Sequence, residues 1–177
     1  MKWSDAKREL KKLDTDELVQ LFKSLFELSP ENKSFFELRL AQTGERSLTY
    51  YKREISASIN PKINDPIDLK RGRNAISSFK KAAPDDLWGI VDLMLHYVEQ
   101  GASFTLEFGD IDGRFYDSLM RMINSILDHS KQLNSIELAH LTKRFEELDA
   151  VTKDEIGWGF SDHITDVTIQ LKEMLDA

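Results

Sequence analysis

Three side chains on one predicted helix have the types and spacing of a metal-ligand set. Asp92, His96 and Glu99 are separated by four and three residues, which places them on one face of an α-helix. Zinc takes nitrogen and oxygen ligands of this kind. The apolar residues of the segment occupy the opposite arc, so we expect the three polar groups to point to solvent without supporting hydrogen bonds. The sequence therefore favours a polar surface here over a metal site.

Two further patterns resemble metal motifs but lack required ligands. Glu137 and His140 have the Glu-x-x-His spacing of di-iron helical bundles, which need the motif twice, and here it occurs once. The segment 110–113 faintly resembles a calcium loop, yet its alignment puts Phe108 and Leu119 where acidic ligands are needed. We therefore predict no metal and no cofactor.

Nucleophilic and phosphate-transfer chemistry leave no pattern in the chain. The absence of cysteine excludes thiolate nucleophiles, disulfides and thiolate metal sites. There is no Gly-x-Ser-x-Gly elbow, glycine-rich phosphate loop or His-Glu-x-x-His motif. A pair of carboxylates for acid–base catalysis stays an open alternative, because the chain has 31 acidic residues. No apolar surroundings single out any one pair. We predict no catalytic residues, and an uncharacterised hydrolase or metal-dependent enzyme is the lowest-ranked alternative.

A basic patch stands out in a chain whose net charge is −7. Between residues 60 and 82, six Lys and Arg stand against two Asp, a local charge of +4. One interpretation is a helix face that binds phosphate, a nucleic-acid backbone or an acidic partner. The favoured interpretation is a solvated helix face, because no aromatic residue interleaves with the charges to stack a base. The candidate anion-binding residues are Lys70, Arg71, Arg73, Lys80 and Lys81.

An aromatic turn near the C-terminal end forms the second candidate surface. Trp158 and Phe160 alternate with two glycines, which permit a sharp turn. The favoured interpretation is that both aromatic side chains plug the core where the last helix docks. The alternative is a pocket or partner groove with a polar rim. The residues of that possible surface are Asp110, Asp112, Tyr116, Trp158, Phe160 and Asp162.

The elements that must position these residues are helices. Apolar residues recur at helical spacing, and capping signals occur at Asp14-x-x-Glu17, Ser29-Pro30 and Asn134-x-x-Glu137. Gly44 and Gly101 are expected to end helices. We predict an all-α fold of eight or nine helices, either an irregular multi-helix bundle or a stack of helical hairpins.

Two segments interrupt this helical pattern. Apolar residues alternate with period two over 102–108, so a short strand there is an alternative to helix. Asn60–Pro66 contains two prolines and cannot be helical. We predict an N-terminal helical portion, 1–60, and a main helical body, 66–177, packed against it as one compact unit because the connector is short.

Charge and hydropathy bound the compartment and the partners. The N-terminus leads into charged residues and not into a signal-peptide core, and no apolar run approaches the roughly 18 residues of a membrane span. A net charge of −7 disfavours nucleic acid over the surface as a whole. We expect a cytoplasmic protein that does not contact a membrane, and the local basic patch keeps nucleic acid as an open alternative.

Three stretches of the chain resemble a mainly bacterial, all-helical family known as domain of unknown function 6155. The stretches are 75–84, 93–116 and Gly157-Trp158-Gly159-Phe160-Ser161-Asp162, and the resemblance covers most of residues 60–170. It implies a bacterial cytosolic origin and favours helix over 102–108. It implies no activity.

The leading hypothesis is a non-enzymatic helical scaffold whose grooves bind another protein or a second copy of itself. It depends on the missing catalytic patterns and on the helical architecture. Anion or nucleic-acid backbone binding through residues 70–81 is the alternative.

Overall fold

A computed structural model describes residues 1–40, 45–62 and 65–176, and every regular element in these ranges is an α-helix. The helices are α1 (Trp3–Leu10), α2 (Thr15–Leu28), α3 (Pro30–Leu40), α4 (Glu45–Ile59), α5 (Leu69–Ala82), α6 (Leu87–Phe108), α7 (Gly113–Ser130), α8 (Ser135–Thr152) and α9 (Phe160–Asp176). The all-α prediction is confirmed. The helix end predicted at Gly44 lies outside the described residues.

Helix α6 corrects two predictions. It continues through Gly101 to Phe108, so Gly101 does not end a helix and the strand alternative over 102–108 is wrong. The physical reason is close packing. A Cβ atom added at Gly101 would lie 2.6 Å from both methyl groups of Leu119 on α7. The glycine lets α6 and α7 approach each other closely. Helix α6 continues past Gly101 because the residues that follow favour a helix.

The capping signals are confirmed at three helix starts. Asp14 and Glu17 form a reciprocal capping box at α2, with both hydrogen bonds at 2.9 Å. Asn134 caps α8 in the same way, accepting from the amide of Glu137 at 3.0 Å. Helix α3 starts at Pro30, and the Ser29 hydroxyl accepts from a first-turn amide.

The chain divides into two compact units, Met1–Ser47 and Leu48–Ala177. The sequence prediction placed the boundary later, at Asn60–Pro66, of which residues 63 and 64 are not described. The reason for the difference is α4. From residue 48 onwards this helix belongs to the second unit, and the rings of Tyr51 and Phe79 meet at 5.4 Å between centroids. The buried apolar side chains of α4 are Tyr51, Ile55 and Ile59.

The first unit contains the hairpin of α2 and α3. The Asn32 side-chain amide donates to the carbonyl of Leu25 at 2.7 Å and ties the start of α3 to α2. Across the hairpin, the Phe36 ring packs edge-on against Phe22 and Phe26 at about 6 Å. Within residues 1–40, Ser34 is the one buried residue, and no apolar side chain is buried.

The second unit is organised around α6. This helix packs against α5, α7 and α8, while α9 packs against α7 and α8. Twelve of its 22 residues are buried, including Tyr97, Asp92 and Thr105. A helix covered on several sides is apolar nearly all round, which explains why its polar residues require specific partners.

Candidate functional site

The α2–α3 hairpin carries an open apolar groove. The groove encloses about 870 Å³ and is lined by Val19, Phe22, Lys23, Phe26, Phe36, Glu37 and Leu40. Val19 is 55% exposed, Phe22 50% and Leu40 79%, although side chains of these types are usually buried in a helical hairpin. A large contiguous apolar surface on a protein usually marks a site that another molecule covers.

The charges beside the groove are balanced. Lys23 on α2 and Glu37 on α3 line the groove and carry opposite charges. Over residues 1–47 there are nine Lys and Arg and nine Asp and Glu, a net charge of zero. Residues 48–177 hold the other fifteen basic and twenty-two acidic side chains and so carry the whole net charge of −7. The groove therefore lies on the neutral unit of an acidic chain.

A partly buried ion network joins α4, α6 and α8 in the second unit. Asp92 is 7% exposed, and its carboxylate accepts from Arg144 Nη1 at 2.5 Å and pairs with Lys52 Nζ at 2.7 Å. The same guanidinium binds Glu99 through both carboxylate oxygens, at 2.9 and 2.7 Å. His96 Nε2 lies 2.9 Å from the Ser56 hydroxyl. Two carboxylates and two cations therefore neutralise one another between three helices.

This network corrects the expectation that Asp92, His96 and Glu99 face solvent. Their common helix face was predicted correctly, but it turns inward because Lys52 and Arg144 reach it from other helices. Both carboxylates bind cationic side chains, as structural ion pairs do. A buried carboxylate without such partners would be strongly disfavoured.

Ionisation in the network follows from burial and charge together. Burial alone would raise the pKa of Asp92, but Lys52 and Arg144 outweigh it and lower that pKa below the ordinary 3.8. Burial would lower the pKa of Arg144, but Glu99 and Asp92 raise it above its ordinary value. Burial lowers the pKa of His96 below 6.5, so its imidazole is neutral at pH 7 and acts as a hydrogen-bonding group.

The predicted anion-binding residues of α5 have different surroundings. Arg71 pairs with Glu54 at 2.7 Å, which raises the pKa of Arg71 and occupies its guanidinium. Lys80 Nζ lies 3.4 Å from His129 Nε2, and Lys70 and Lys81 are exposed. Arg73 lines a cleft against α7, whereas Arg71 lines a separate depression that also contains Asp65 and Asp68. The structure therefore does not gather the five residues into one site.

That cleft contains functional candidates that the sequence reasoning missed. It lies between α5 and α7, encloses about 600 Å³, and is lined by Leu69, Arg73, Arg114, Ser118, Arg121, Met122 and Ser125. Arg114 and Arg121 were overlooked because they stand more than 30 residues from the basic patch. Their spacing of seven residues, two turns of one helix, was the available signal.

The aromatic turn joins part of the second predicted surface. Phe160 is fully buried, as the core-plug interpretation predicts, but Trp158 is 56% exposed. One face of the Trp158 ring stacks on Tyr116 with centroids 5.9 Å apart. Backbone φ angles of 60° at Trp158 and 72° at Gly159 form the sharp turn. Trp158 therefore covers Tyr116 as a half-exposed lid.

The acidic residues of that surface have separate roles. Asp110 accepts a hydrogen bond from the Tyr116 hydroxyl at 2.9 Å, and burial raises the pKa of Tyr116 above its ordinary 10.0. Asp112 caps α7 by accepting from the amide of Phe115 at 2.8 Å. Asp162 lines a separate depression of about 270 Å³. The six residues therefore do not line one pocket.

Comparison with known proteins adds no relative. No protein-family model, no curated protein and no solved structure matches the chain. The resemblance noted for residues 60–170 stays a prediction. Among the described residues, no helix combines the length and the apolar character needed to cross a membrane.

Proposed function

We propose that this protein is a helical scaffold that self-associates through the α2–α3 groove, with a second copy of the chain as the occupant. The observation that carries the proposal is the missing apolar core in the part of the first unit whose side chains are described, residues 1–40. Within residues 1–40 no apolar side chain is buried, while Val19, Phe22 and Leu40 line an open groove. Two such hairpins can bury their apolar faces against each other as a four-helix bundle.

A second copy fits this surface better than an occasional partner. A hairpin that lacks a core needs its cover at all times, and a copy of the same chain is present wherever the chain is. The neutral charge balance of residues 1–47 avoids the repulsion that two copies of an acidic surface would suffer.

The groove also meets the requirement of a two-fold interface. Such an interface uses the same patch on both subunits, so the patch must complement itself. Lys23 on α2 and Glu37 on α3 supply one charge of each sign beside the same groove. In a two-fold pair each can meet the opposite charge of the other copy while the phenylalanine side chains fill the centre.

Replacing Val19 and Leu40 together with aspartate is expected to convert a dimer into a monomer. Both side chains line the groove and are more than half exposed, so the substitutions spare the packing of Phe36 within the hairpin. Light scattering on the full chain should give twice the 20.5 kDa of one chain for the wild type and a single chain for the variant. Circular dichroism should show that the variant keeps the helicity of the second unit, which has its own buried core, and loses at most the share of the uncovered hairpin.

Ile136→Asp is the matched control. Ile136 is 84% exposed at the start of α8 in the second unit, where an added carboxylate suits the helix dipole. This variant should stay dimeric. The proposal is overturned if the wild type remains monomeric at concentrations up to about 100 μM. A dissociation constant above that value is weaker than specific self-association usually shows. A V19D/L40D variant that remains dimeric would place the interface elsewhere.

A further inference from the structure

The cleft between α5 and α7 concentrates positive charge in the acidic unit. Residues 48–177 contain six arginines, and Arg73, Arg114 and Arg121 all line this cleft. The other three have partners within the chain: Arg71 with Glu54, Arg144 with its two carboxylates, and Arg53 over the ring of Tyr50. No Asp or Glu is among the residues that line the cleft.

The three guanidinium groups keep donors for a ligand. Arg114 forms no hydrogen bond or ion pair with the part of the chain that the structure describes. Arg121 uses Nε to bind the carbonyl of Asp117 at 3.0 Å, and its Nη2 is 3.9 Å from the Asp117 carboxylate in an exposed pair. Such an exposed pair contributes little and yields readily to a stronger anion.

Arg73 is held in place from inside the fold. Its Nη1 donates to the Ser118 hydroxyl at 2.8 Å, and that hydroxyl is hydrogen-bonded to Tyr97 at 2.9 Å. Ser118 is 8% exposed and Tyr97 is fully buried. A guanidinium fixed by a buried network loses less side-chain entropy when it binds, which favours a preorganised site.

From this arrangement we propose that the cleft binds a small organic phosphate. A guanidinium group can bind a phosphate through two parallel N–H···O hydrogen bonds. Ser125 adds a hydroxyl group to the lining of the cleft. Leu69 and Met122 supply an apolar part of the lining, which suits an organic group attached to the phosphate. A volume of about 600 Å³ lies within the range of small-molecule sites.

A polymeric anion fits the same surroundings less well. A nucleic-acid backbone carries many more phosphates than three arginines can bind. The remaining phosphates would lie over a unit whose net charge is −7 and would be repelled by it. A small phosphate places its charge within the cleft, whose lining contains three arginines and no carboxylate. The site is confined to the second unit, so it is independent of self-association through the first.

Titration calorimetry with phenyl phosphate and inorganic phosphate tests the site. Phenyl phosphate should bind at least about fivefold more tightly, since its ring reaches Leu69 and Met122 and such a contact is worth about 1 kcal/mol. Citrate, a carboxylate of higher charge, should bind more weakly than phenyl phosphate. Tighter binding of citrate, or of a single-stranded oligonucleotide, overturns the assignment to a small organic phosphate, as does the absence of phenyl phosphate binding at millimolar concentration.

The variant Arg114→Gln/Arg121→Gln locates the site. Both side chains are exposed, so the fold should be unaffected, and phenyl phosphate affinity should fall at least about tenfold with the loss of charge-assisted hydrogen bonds. Lys70→Gln/Lys80→Gln removes the same amount of charge from α5 outside the cleft lining and should bind like the wild type. Equal loss in both variants would indicate non-specific attraction and would overturn the proposal.

Discussion

Replacing Arg144 with methionine is expected to lower the free energy of unfolding by about 3 kcal/mol. The substitution keeps much of the side-chain volume but removes the cation that binds Asp92 and Glu99. Asp92 is 7% exposed and would keep only Lys52, and Glu99 would lose both of its hydrogen bonds to the guanidinium. Urea unfolding followed by circular dichroism measures the change.

Lys143→Met is the control for this prediction, on the neighbouring position of α8. Lys143 forms an exposed pair with Glu147 at 3.9 Å, so its removal should change stability by less than about 0.5 kcal/mol. Similar losses in the two variants would mean that burial of the Arg144 network has no energetic consequence. A triple change of Arg144, Asp92 and Glu99 to apolar residues should recover part of the loss, because no unpaired charge remains.

Gly101→Val is expected to destabilise the second unit by a comparable amount, about 3 kcal/mol. The first added carbon would lie 2.6 Å from the Leu119 methyl groups, and Leu119 is fully buried, so moving it would displace its neighbours in the core. Helices α6 and α7 would have to separate, which loosens contacts along both. The midpoint of thermal or urea unfolding reports the effect.

Gly157→Val serves as the comparison because a Cβ atom there would meet nothing within 4 Å. That variant should unfold within about 0.5 kcal/mol of the wild type, as surface substitutions usually do. If Gly101→Val were as stable as Gly157→Val, the close approach of α6 and α7 would not limit the packing of this unit.

The helical architecture was predictable because its signals are local. The capping boxes at Asp14 and Asn134 and the proline at position 30 each act within one turn of helix, so their spacing in sequence fixes their geometry. The spacing of Asp92, His96 and Glu99 likewise predicted a shared face. Which direction that face points depends on Lys52 and Arg144, which are 40 and 52 residues from Asp92.

Gly101 shows a second limit of reasoning from local pattern. A glycine after an apolar helix is typical of a helix end, but it is equally suited to a close helix crossing. Only the position of Leu119 on another helix distinguishes these roles. The alternation over 102–108 suggested a strand for the same reason, since a short apolar run fits either period.

The candidate sites required tertiary information to different degrees. Apolar residues at helical spacing normally indicate a buried helix face, so the exposure of Phe22 on α2 could not be predicted from that spacing. The anion cleft combines Arg73 of α5 with Arg114 and Arg121 of α7. The basic patch predicted around residues 70–81 therefore contained one of its three cations.

The separation of charge between the two units determines how ionic strength should act on the protein. Added salt screens the repulsion between two second units, each with a net charge of −7, and leaves the apolar contact of two neutral first units intact. Phosphate binding by three arginines weakens under the same screening. Raising the salt concentration from about 50 to about 500 mM should maintain or strengthen the dimer while the affinity for phenyl phosphate falls, and a dimer that dissociates in salt would indicate an ionic interface. Ionic strength thus separates the two proposed activities, because only phosphate binding should weaken as it rises.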